Sequence, residues 1–461
     1  MIPERLRPLA DETEALAARF AAAGFRLYLV GGVVRDAVLG RLHPRGDLDF
    51  TTDARPDDTE ALMSGWADAV WTQGKRFGTI GVLVGERNLE ITTHRAEAYH
   101  PDSRHPEVVY GDAVEQDLSR RDFTVNAMAL SLPDFRLIDP FDGVGDLAAS
   151  RLRTPLSPEE SFADDPLRML RAARFIAGYR LAPDPDLVSA VTTMRARLDI
   201  VSDERIRDEL DKLMVVDKPG EGLRFLVHTG LAEEFLPELP ALALEQDPIH
   251  HHKDVLAHTI AVVDKTSPDR LLRLAALFHD VGKPKTRSYG LQGTVTFHHH
   301  EVVGARMARD RMRALRYSGE DIETVGRLVG LHLRFHTYRM GWTDSAVRRY
   351  VRDAGPLLEQ LNELTRSDCT TRNAARARAL ARRMDELEAR IAELREKEEL
   401  AAIRPDLDGN AVMGRLGIRP GPDVGAALAY LLELRLEEGP LDAEEAGRRL
   451  DEWWARRRAG P

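Results

Sequence analysis

The chain has 461 residues, 43% of them hydrophobic and 31% charged, and a formal net charge of −11. That length exceeds one hydrophobic core and sets an expectation of roughly three domains, in a composition typical of folded globular chains rather than disordered or collagen-like ones. The acidic balance excludes a generic nucleic-acid coat protein, because non-specific phosphate binding needs a surplus of Lys and Arg, and any RNA contact is left to local basic patches.

Met1-Ile2-Pro3-Glu4-Arg5 lacks the basic-then-apolar plan of a signal peptide, and no apolar stretch reaches the roughly 18 residues that span a bilayer. The expectation is a cytoplasmic protein with no membrane partner. Residues 11–23 read as an amphipathic helix. Phe25 to Val30 is a short apolar run, broken by Gly31-Gly32 and followed by a helical pattern from Val33 to Leu39, which is strand, glycine turn and helix. Strand patterns at Leu48 to Thr51, Thr79 to Val84, Leu89 to Thr92 and Arg136 to Ile138 predict a mixed-sheet α/β head over residues 1–150. From Pro166 onward the periodic segments are helical. They divide into a neck over 151–245, a second unit over 246–372 and a C-terminal tail over 373–461. The Pro237 to Pro248 stretch reads as a linker, residues 374–401 as one long charged helix, and Pro405 to Pro422 as its break.

Asp47 and Asp49 carry the first chemical signal. With Leu48 between them on a strand, a period of two puts both carboxylates on one face, where they can share two Mg²⁺ ions. Gly31 and Gly32 let the backbone approach a triphosphate, the following helix N-terminus offers free N–H groups, and Arg35 adds a charge one turn in. Neither a Rossmann nor a P-loop glycine pattern is present. Glu90, on the strand Leu89 to Thr92, is a candidate third carboxylate or a polar residue facing solvent.

Asp164-Asp165-Pro166-Leu167-Arg168 opens a helix. Asp165 stands at the N-cap position and Pro166 at the first helical position, with Arg168, Arg171 and Arg174 along one side. Asp165 can be only a cap. As a reader of bases, one Asp-Arg pair matches the amino donor and ring-nitrogen acceptor that cytosine and adenine both present, and rejects guanine and uracil.

Asp269 to Phe278 is an apolar helix ending in His279-Asp280, with Gly282 and Pro284 as stop signals. With His258 upstream and Asp368 downstream, these residues form a mixed imidazole and carboxylate set that suits Mn²⁺, Fe²⁺, Co²⁺, Ni²⁺ or Mg²⁺ better than structural zinc. His250, His251, His252, His298 and His299 read as surface histidines. Cys369 is the only cysteine, so no internal disulfide forms. Arg372, Arg376, Arg378, Arg382 and Arg383 are a second basic patch, or a solvated, salt-bridged helix face. Trp453, Trp454 and Arg456 to Arg458 read either as an RNA contact through stacking and charge or as the packing of a last helix, with packing the favoured role for the tryptophans.

Gly31-Gly32-Val33-Val34-Arg35-Asp36 followed by Gly46-Asp47-Leu48-Asp49 resembles the polymerase-β-like nucleotidyltransferase superfamily. Within it, the resemblance is to the bacterial class II CCA-adding enzymes and poly(A) polymerases. It continues through Arg120-Arg121-Asp122-Phe123-Thr124-Val125-Asn126-Ala127-Met128-Ala129, which implies that Arg121 contacts the incoming nucleotide. Asp139-Pro140-Phe141-Asp142-Gly143 with Asp146-Leu147 resembles a motif thought to couple head and neck, although such a turn needs no function. Asp164 to Arg168 resembles the E-D-x-x-R motif, with Asp164 in place of Glu. By that resemblance Asp165 and Arg168 read the base, and Arg171 and Arg174 contact base or phosphates. Ser202 to Leu210 resembles a helix that buttresses the neck. Arg95, Glu97 and Asp102-Ser103-Arg104-His105-Pro106 fall where complete CCA enzymes carry the loop for switching from C to A. The second unit resembles the HD phosphohydrolases, whose two-metal members have further ligands where His300 and His332 stand, and Gly417 to Gly425 is similar to a tRNA-holding tail.

The resemblance implies sequential transfer of CMP, CMP and AMP from CTP and ATP to the tRNA 3′ end, with release of pyrophosphate. It also implies Mg²⁺ in the head, a divalent transition metal or Mg²⁺ in the second unit, and an accessory phosphohydrolase activity. Rival readings are a poly(A) polymerase of the same fold and an HD phosphohydrolase with a nucleotide-sensing head.

Overall fold

The computed structural model describes residues 6–42, 48–94, 110–244, 254–289, 295–338, 341–370, 373–398, 400 and 403–459. Asp47, the Arg95 to Pro106 loop, His250 to His252 and Arg372 lie outside the described residues. The chain divides into two compact units between Pro237 and Glu238. Among the described residues no helix is long and apolar enough to cross a membrane.

The first unit is built on a seven-stranded sheet of β1 (Leu27–Val30), β2 (Leu48–Thr52), β3 (Ala69–Trp71), β4 (Thr79–Val84), β5 (Arg87–Thr93), β6 (Ala129–Leu132) and β7 (Leu137–Ile138), in the order β3-β4-β5-β2-β1-β6-β7. The strand β1 is buried along its whole length, as a central strand covered on both faces must be. Helix α1 (Arg7–Ala22) begins earlier than the sequence pattern suggests and buries Leu9, Leu16, Ala17 and Phe20. Then come α2 (Gly32–Val38), α3 (Pro56–Met63) and α4 (Val114–Ser119). Val114 and Leu118 of α4 pack on Tyr28, Val30 and Ala129, closing one half of one sheet face. The pairing β2–β5 is parallel and every other pair in this sheet is antiparallel, so the expected mixed sheet is present. The turn between β4 and β5 has only Gly85 and Glu86, and Gly85 takes φ +60, a left-handed conformation that favours glycine.

After α5 (Gly143–Ala148) the chain turns helical: α6 (Pro158–Asp164), α7 (Leu167–Tyr179), α8 (Pro185–Met194), α9 (Asp203–Met214), α10 (Gly220–His228) and α11 (Leu231–Phe235). The pair β8 (Arg151–Leu152) and β9 (Ala182–Pro183) is the one further sheet described in this unit. Asp139 accepts hydrogen bonds from the backbone N–H groups of Gly143 and Val144 (2.7 and 2.9 Å), and buried Asp146 accepts from Thr124, Arg151 and Arg153. The Asp139 to Leu147 segment therefore clamps neighbouring backbone and side chains together. The stretch from Pro237 is less of a linker than its composition suggests, since Leu239 and Leu242 are buried.

The second unit is helical: α12 (Val255–Lys265), α13 (Arg270–Phe278), α14 (Lys283–Thr286), α15 (His300–Ala314), α16 (Gly319–Leu331), α17 (Asp344–Ala354), α18 (Leu358–Asp368), α19 (Ala374–Lys397), α20 (Gly409–Leu416), α21 (Pro422–Glu438) and α22 (Ala443–Ala459). One hairpin, β10 (Arg287–Tyr289) with β11 (Val295–Phe297), interrupts them. The helices α20 to α22 share a small core of Val412, Val424, Leu431 and Leu450, on which Trp453 packs while stacked on Tyr430 at 5.1 Å.

Candidate active site and candidate metal centre

Strand register builds the first site. Residues paired across neighbouring strands point to the same face, and one such row runs through Trp71, Gly81, Glu90, Asp49, Val30, Ala129 and Ile138. At the Val30 end α4 covers the row; at the Glu90 end it is open, with Glu90 exposed and Asp49 half-buried. The cross-strand pairing of Asp49 with Glu90 brings two carboxylates to one face. Hard oxygen donors of this kind fit Mg²⁺.

Gly31, at φ +76, ends β1 beside this row. A Cβ placed on it would stand 3.1 Å from Arg121 Nη1 and 3.4 Å from Asp49 Oδ2, so bare backbone lies between a guanidinium and a carboxylate. The Arg121 Nη2 donates to Asp117 (3.3 Å), and its Nε is buried without a hydrogen-bond partner. Gly32 is the first residue of α2. Arg35 is buried rather than extended into open space. It donates to Asn126 (2.7 Å) and Asp36 (2.9 Å), and its guanidinium lies 4.1 Å from the Tyr179 ring.

The expected helix is present but starts one residue later, at Leu167 with Pro166 at its N-cap, while Asp165 Oδ1 still accepts from the Leu167 N–H (3.2 Å). Its other oxygen accepts from Arg205 at 2.8 Å. Arg168 points elsewhere, donating to Ser161 (2.9 Å) and to the Arg120 carbonyl (2.6 Å), so Asp165 and Arg168 are neighbours with separate partners. Arg171 makes a two-pronged pair with Asp122 (2.5 and 2.9 Å), and Arg174 pairs with buried Glu209. Burial opposes ionisation of Asp122, but Arg171, the Asn126 amide and the Phe123 N–H outweigh it and hold the carboxyl down at about 2.

The partners Asp117, Asp122, Arg205 and Glu209 were not singled out by sequence reasoning. Asp122, Arg205 and Glu209 lie inside stretches of recognisable pattern, but a partner 35 to 49 residues away leaves no local signature. Ser202 caps α9 through the Arg205 N–H, a simple cap with no reciprocal carboxylate.

In the second unit His258, His279, Asp280, His300, His332 and Asp368 meet. Two groups, His258 with His279 and Asp280, and Asp280 with His300 and His332, each place their candidate ligand atoms within 4.8 Å of one another. The Nδ1 atoms of His279, His300 and His332 each donate to the carbonyl three residues earlier, Ala276, Phe297 and Val329, all at 2.7 Å. That fixes the tautomer and leaves Nε2 lone pairs facing inward. The Nε2 atoms of His258 and His279 stand 3.2 Å apart, and Asp368 Oδ1 is 3.0 Å from His258 Nε2. The Nε2 of His300 is buried with no hydrogen-bond partner. Burial holds His332 down at about 4, keeping it a neutral donor near pH 7.

Lone pairs converging on one another, with one orphaned nitrogen at His300, are the arrangement a cation resolves. Lys283 also reaches this cluster, donating to Asp280 at 2.7 Å. Its i, i+3 spacing from Asp280 was the available signal. His298 and His299 are exposed, as expected.

The poly(A) polymerase head domain matches residues 27–153, the probable RNA and SrmB-binding site of polymerase A matches 180–242, and the HD domain matches 249–397. An A-adding tRNA nucleotidyltransferase of Deinococcus radiodurans is 32% identical over 446 residues, covering 94% of this chain and 96% of that one. A CCA-adding enzyme of Bacillus subtilis is 39% identical over 213 residues, 46% of this chain and 52% of its own. A CCA-adding enzyme of Streptococcus suis is 40% identical over 222 residues, so about half of each such enzyme is matched, 53% here. Among solved structures, the Bacillus stearothermophilus CCA-adding enzyme in complex with CTP superposes with a TM-score of 0.70 at 21% identity, covering 100% of both chains. The Thermotoga maritima CCA-adding enzyme complexed with tRNA gives 0.59 at 19%, covering 98% of this chain and 96% of the other. At those identities the likeness is one of fold.

Proposed function

The chain belongs to the tRNA nucleotidyltransferase family, and on that premise we propose that it builds the CCA end of tRNA, transferring CMP, CMP and AMP in turn from CTP and ATP. The observation that carries this reading is the meeting of Gly31, Asp49 and Arg121 on one open sheet face beside Glu90.

In each cycle the terminal 3′-oxygen of the RNA forms a bond to the α-phosphorus and the α–β bridging P–O bond breaks. Pyrophosphate leaves with the electron pair, and the hydroxyl proton passes to solvent. The Gly31-Gly32 backbone takes the triphosphate at close range, and Arg121 balances its charge. Asp49, with Glu90 and with Asp47 from the adjoining segment, would hold the Mg²⁺ ions. Bound there, they supply charge neutralisation and a lower pKa for the attacking hydroxyl. Asp165 accepts from the exocyclic amine of C or A, and Arg168 donates to the ring nitrogen. Both already have protein partners, so base reading exchanges one hydrogen bond for another. Arg35, Arg171 and Arg174 hold the walls of the site through Asn126, Asp122 and Glu209 rather than projecting freely.

A second reading follows from the D. radiodurans relative matched over nearly its full length: an enzyme adding only the final A. Transcripts of tRNA ending before the first C, after each C, and complete, each given one labelled nucleotide at a time, separate the readings. CTP incorporation supports CCA addition. ATP incorporation confined to the transcript already ending in CC supports A addition, and long A tails on any RNA support a poly(A) polymerase.

For the second unit the donor set of four imidazoles and two carboxylates favours a divalent transition metal over Mg²⁺. Hydrolysis of phosphoesters is the activity such a centre supports. A phosphoesterase activity lost in His279→Ala with nucleotide incorporation intact would establish it, and its absence from the metal-loaded wild type would exclude it.

A further inference from the structure

We propose that a shallow cavity beside Asp49 and Glu90 seats the 3′-terminal nucleotide of the RNA being extended, with its base stacked on the Trp71 indole. The inference rests on the nucleotide-transfer reading above and adds the place and the stacking partner of the acceptor end.

The order of strands supplies the direction. The triphosphate cradle at Gly31 ends β1, on one side of β2; on the other side of β2 come β5, β4 and β3. Transfer at the α-phosphorus puts the attacking and leaving oxygens roughly in line on opposite sides. With the leaving pyrophosphate toward Gly31 and Arg121, the attacking 3′-hydroxyl approaches from the Glu90 side.

On that side lies a cavity of about 500 Å³, lined by Trp71, Gln73, Thr79, Gly81, Asn88 and Glu90. A volume of this order holds a small ligand such as a nucleotide. The missing side chain at position 81 lets the indole settle onto the sheet, since a Cβ on Gly81 would stand 3.2 Å from Trp71 Cε3. The indole thus lies against bare sheet in the same cross-strand row as Glu90 and Asp49. Trp71 is 40% exposed on the edge strand β3, a large aromatic surface left in water next to the reacting face. Exposed Gln73 and Asn88 each offer both a donor and an acceptor.

Stacking suits this task chemically. The terminal base changes after every addition, and an aromatic face accepts any base, whereas a hydrogen-bonding reader would fit only one.

The test uses the full chain with Trp71→Ala and Trp71→Phe, tRNA transcripts lacking one or more 3′ nucleotides, and a terminal 2-aminopurine as a fluorescent base. Trp71→Ala should raise KM for the transcript about tenfold, leave KM for the nucleoside triphosphate unchanged, and abolish quenching of the terminal 2-aminopurine. Trp71→Phe should restore most of both. Trp71→Leu, which keeps apolar bulk without a π face, carries the same expectation as Trp71→Ala if the alanine variant does not fold. Unchanged transcript KM and unchanged quenching in the alanine or leucine variant would overturn the proposal, as would equal losses for both substrates. Quenching needs no chemistry, so it still tests the proposal if the wild type incorporates no nucleotide, an outcome that would instead overturn the functional reading.

Discussion

The two sites solve the problem of holding charge in opposite ways. In the second unit three of the four histidines are tied to main-chain carbonyls and His258 to the Thr370 hydroxyl, so ligand directions are set before any ion arrives. In the first unit the site is an open sheet face, and its surrounding arginines are tied to carboxylates on other elements. The difference teaches what each must do. A metal centre gains from a rigid, dry shell, whereas a site that accepts two nucleotides and a growing RNA end needs groups that can trade partners.

The sharpest way to break this comparison is Asp49→Ala. Nucleotide incorporation should fall by at least ~10³, the scale on which loss of charge stabilisation slows phosphoryl transfer, while the metal content of the second unit stays the same. Appreciable residual incorporation would remove Asp49 from the chemistry. The reciprocal variant, His279→Ala, should lower metal affinity by at least roughly 10- to 100-fold, read by elemental analysis, with incorporation unchanged. A concurrent loss of incorporation would mean the sites are not independent.

Next in size is Arg171→Ala, which leaves the Asp122 carboxylate buried and unpaired. Stability should drop by about 3–5 kcal/mol. A variant that melts like wild type but has a raised nucleotide KM would show that Arg171 serves substrate rather than the fold. The pH dependence of the same pair follows from its sign. Asp122 is depressed in the folded chain to about 2 from 3.8, so its contribution is present above the unfolded value and is lost as pH falls from about 4 toward 2. Denaturation curves across that window should flatten in Asp122→Asn. The smallest effect is expected from Arg205→Ala. The pair it breaks is half exposed, so stability should change by less than about 1 kcal/mol, while release of Asp165 should change discrimination between CTP and UTP several-fold, read as the ratio of kcat/KM values.

What the sequence revealed was whatever is local. Gly31-Gly32 before a helix, Asp49 on a strand, Asp165 with Pro166 at a helix start and His279-Asp280 at a helix end are all contained within a few residues, and each is found in the expected element. The missed strands have physical reasons. Ala69–Trp71 is three residues on a sheet edge, too short for a period to register, and Ala129–Leu132 continues a buried run that alternation cannot mark. The arginine partners were invisible because tertiary packing alone brings Arg174 to Glu209 and Arg205 to Asp165.

The two-residue turn at Gly85 and Glu86 has a bearing on how this enzyme can diverge. That turn fixes which residue of β5 lies beside Gly81, and β5 in turn stands in register with Asp49. One inserted residue there would swing Glu90 to the opposite face. Such a change would leave every reactive group in the protein and disable the site, so over evolutionary time this surface turn should accept new side chains far more readily than a new length.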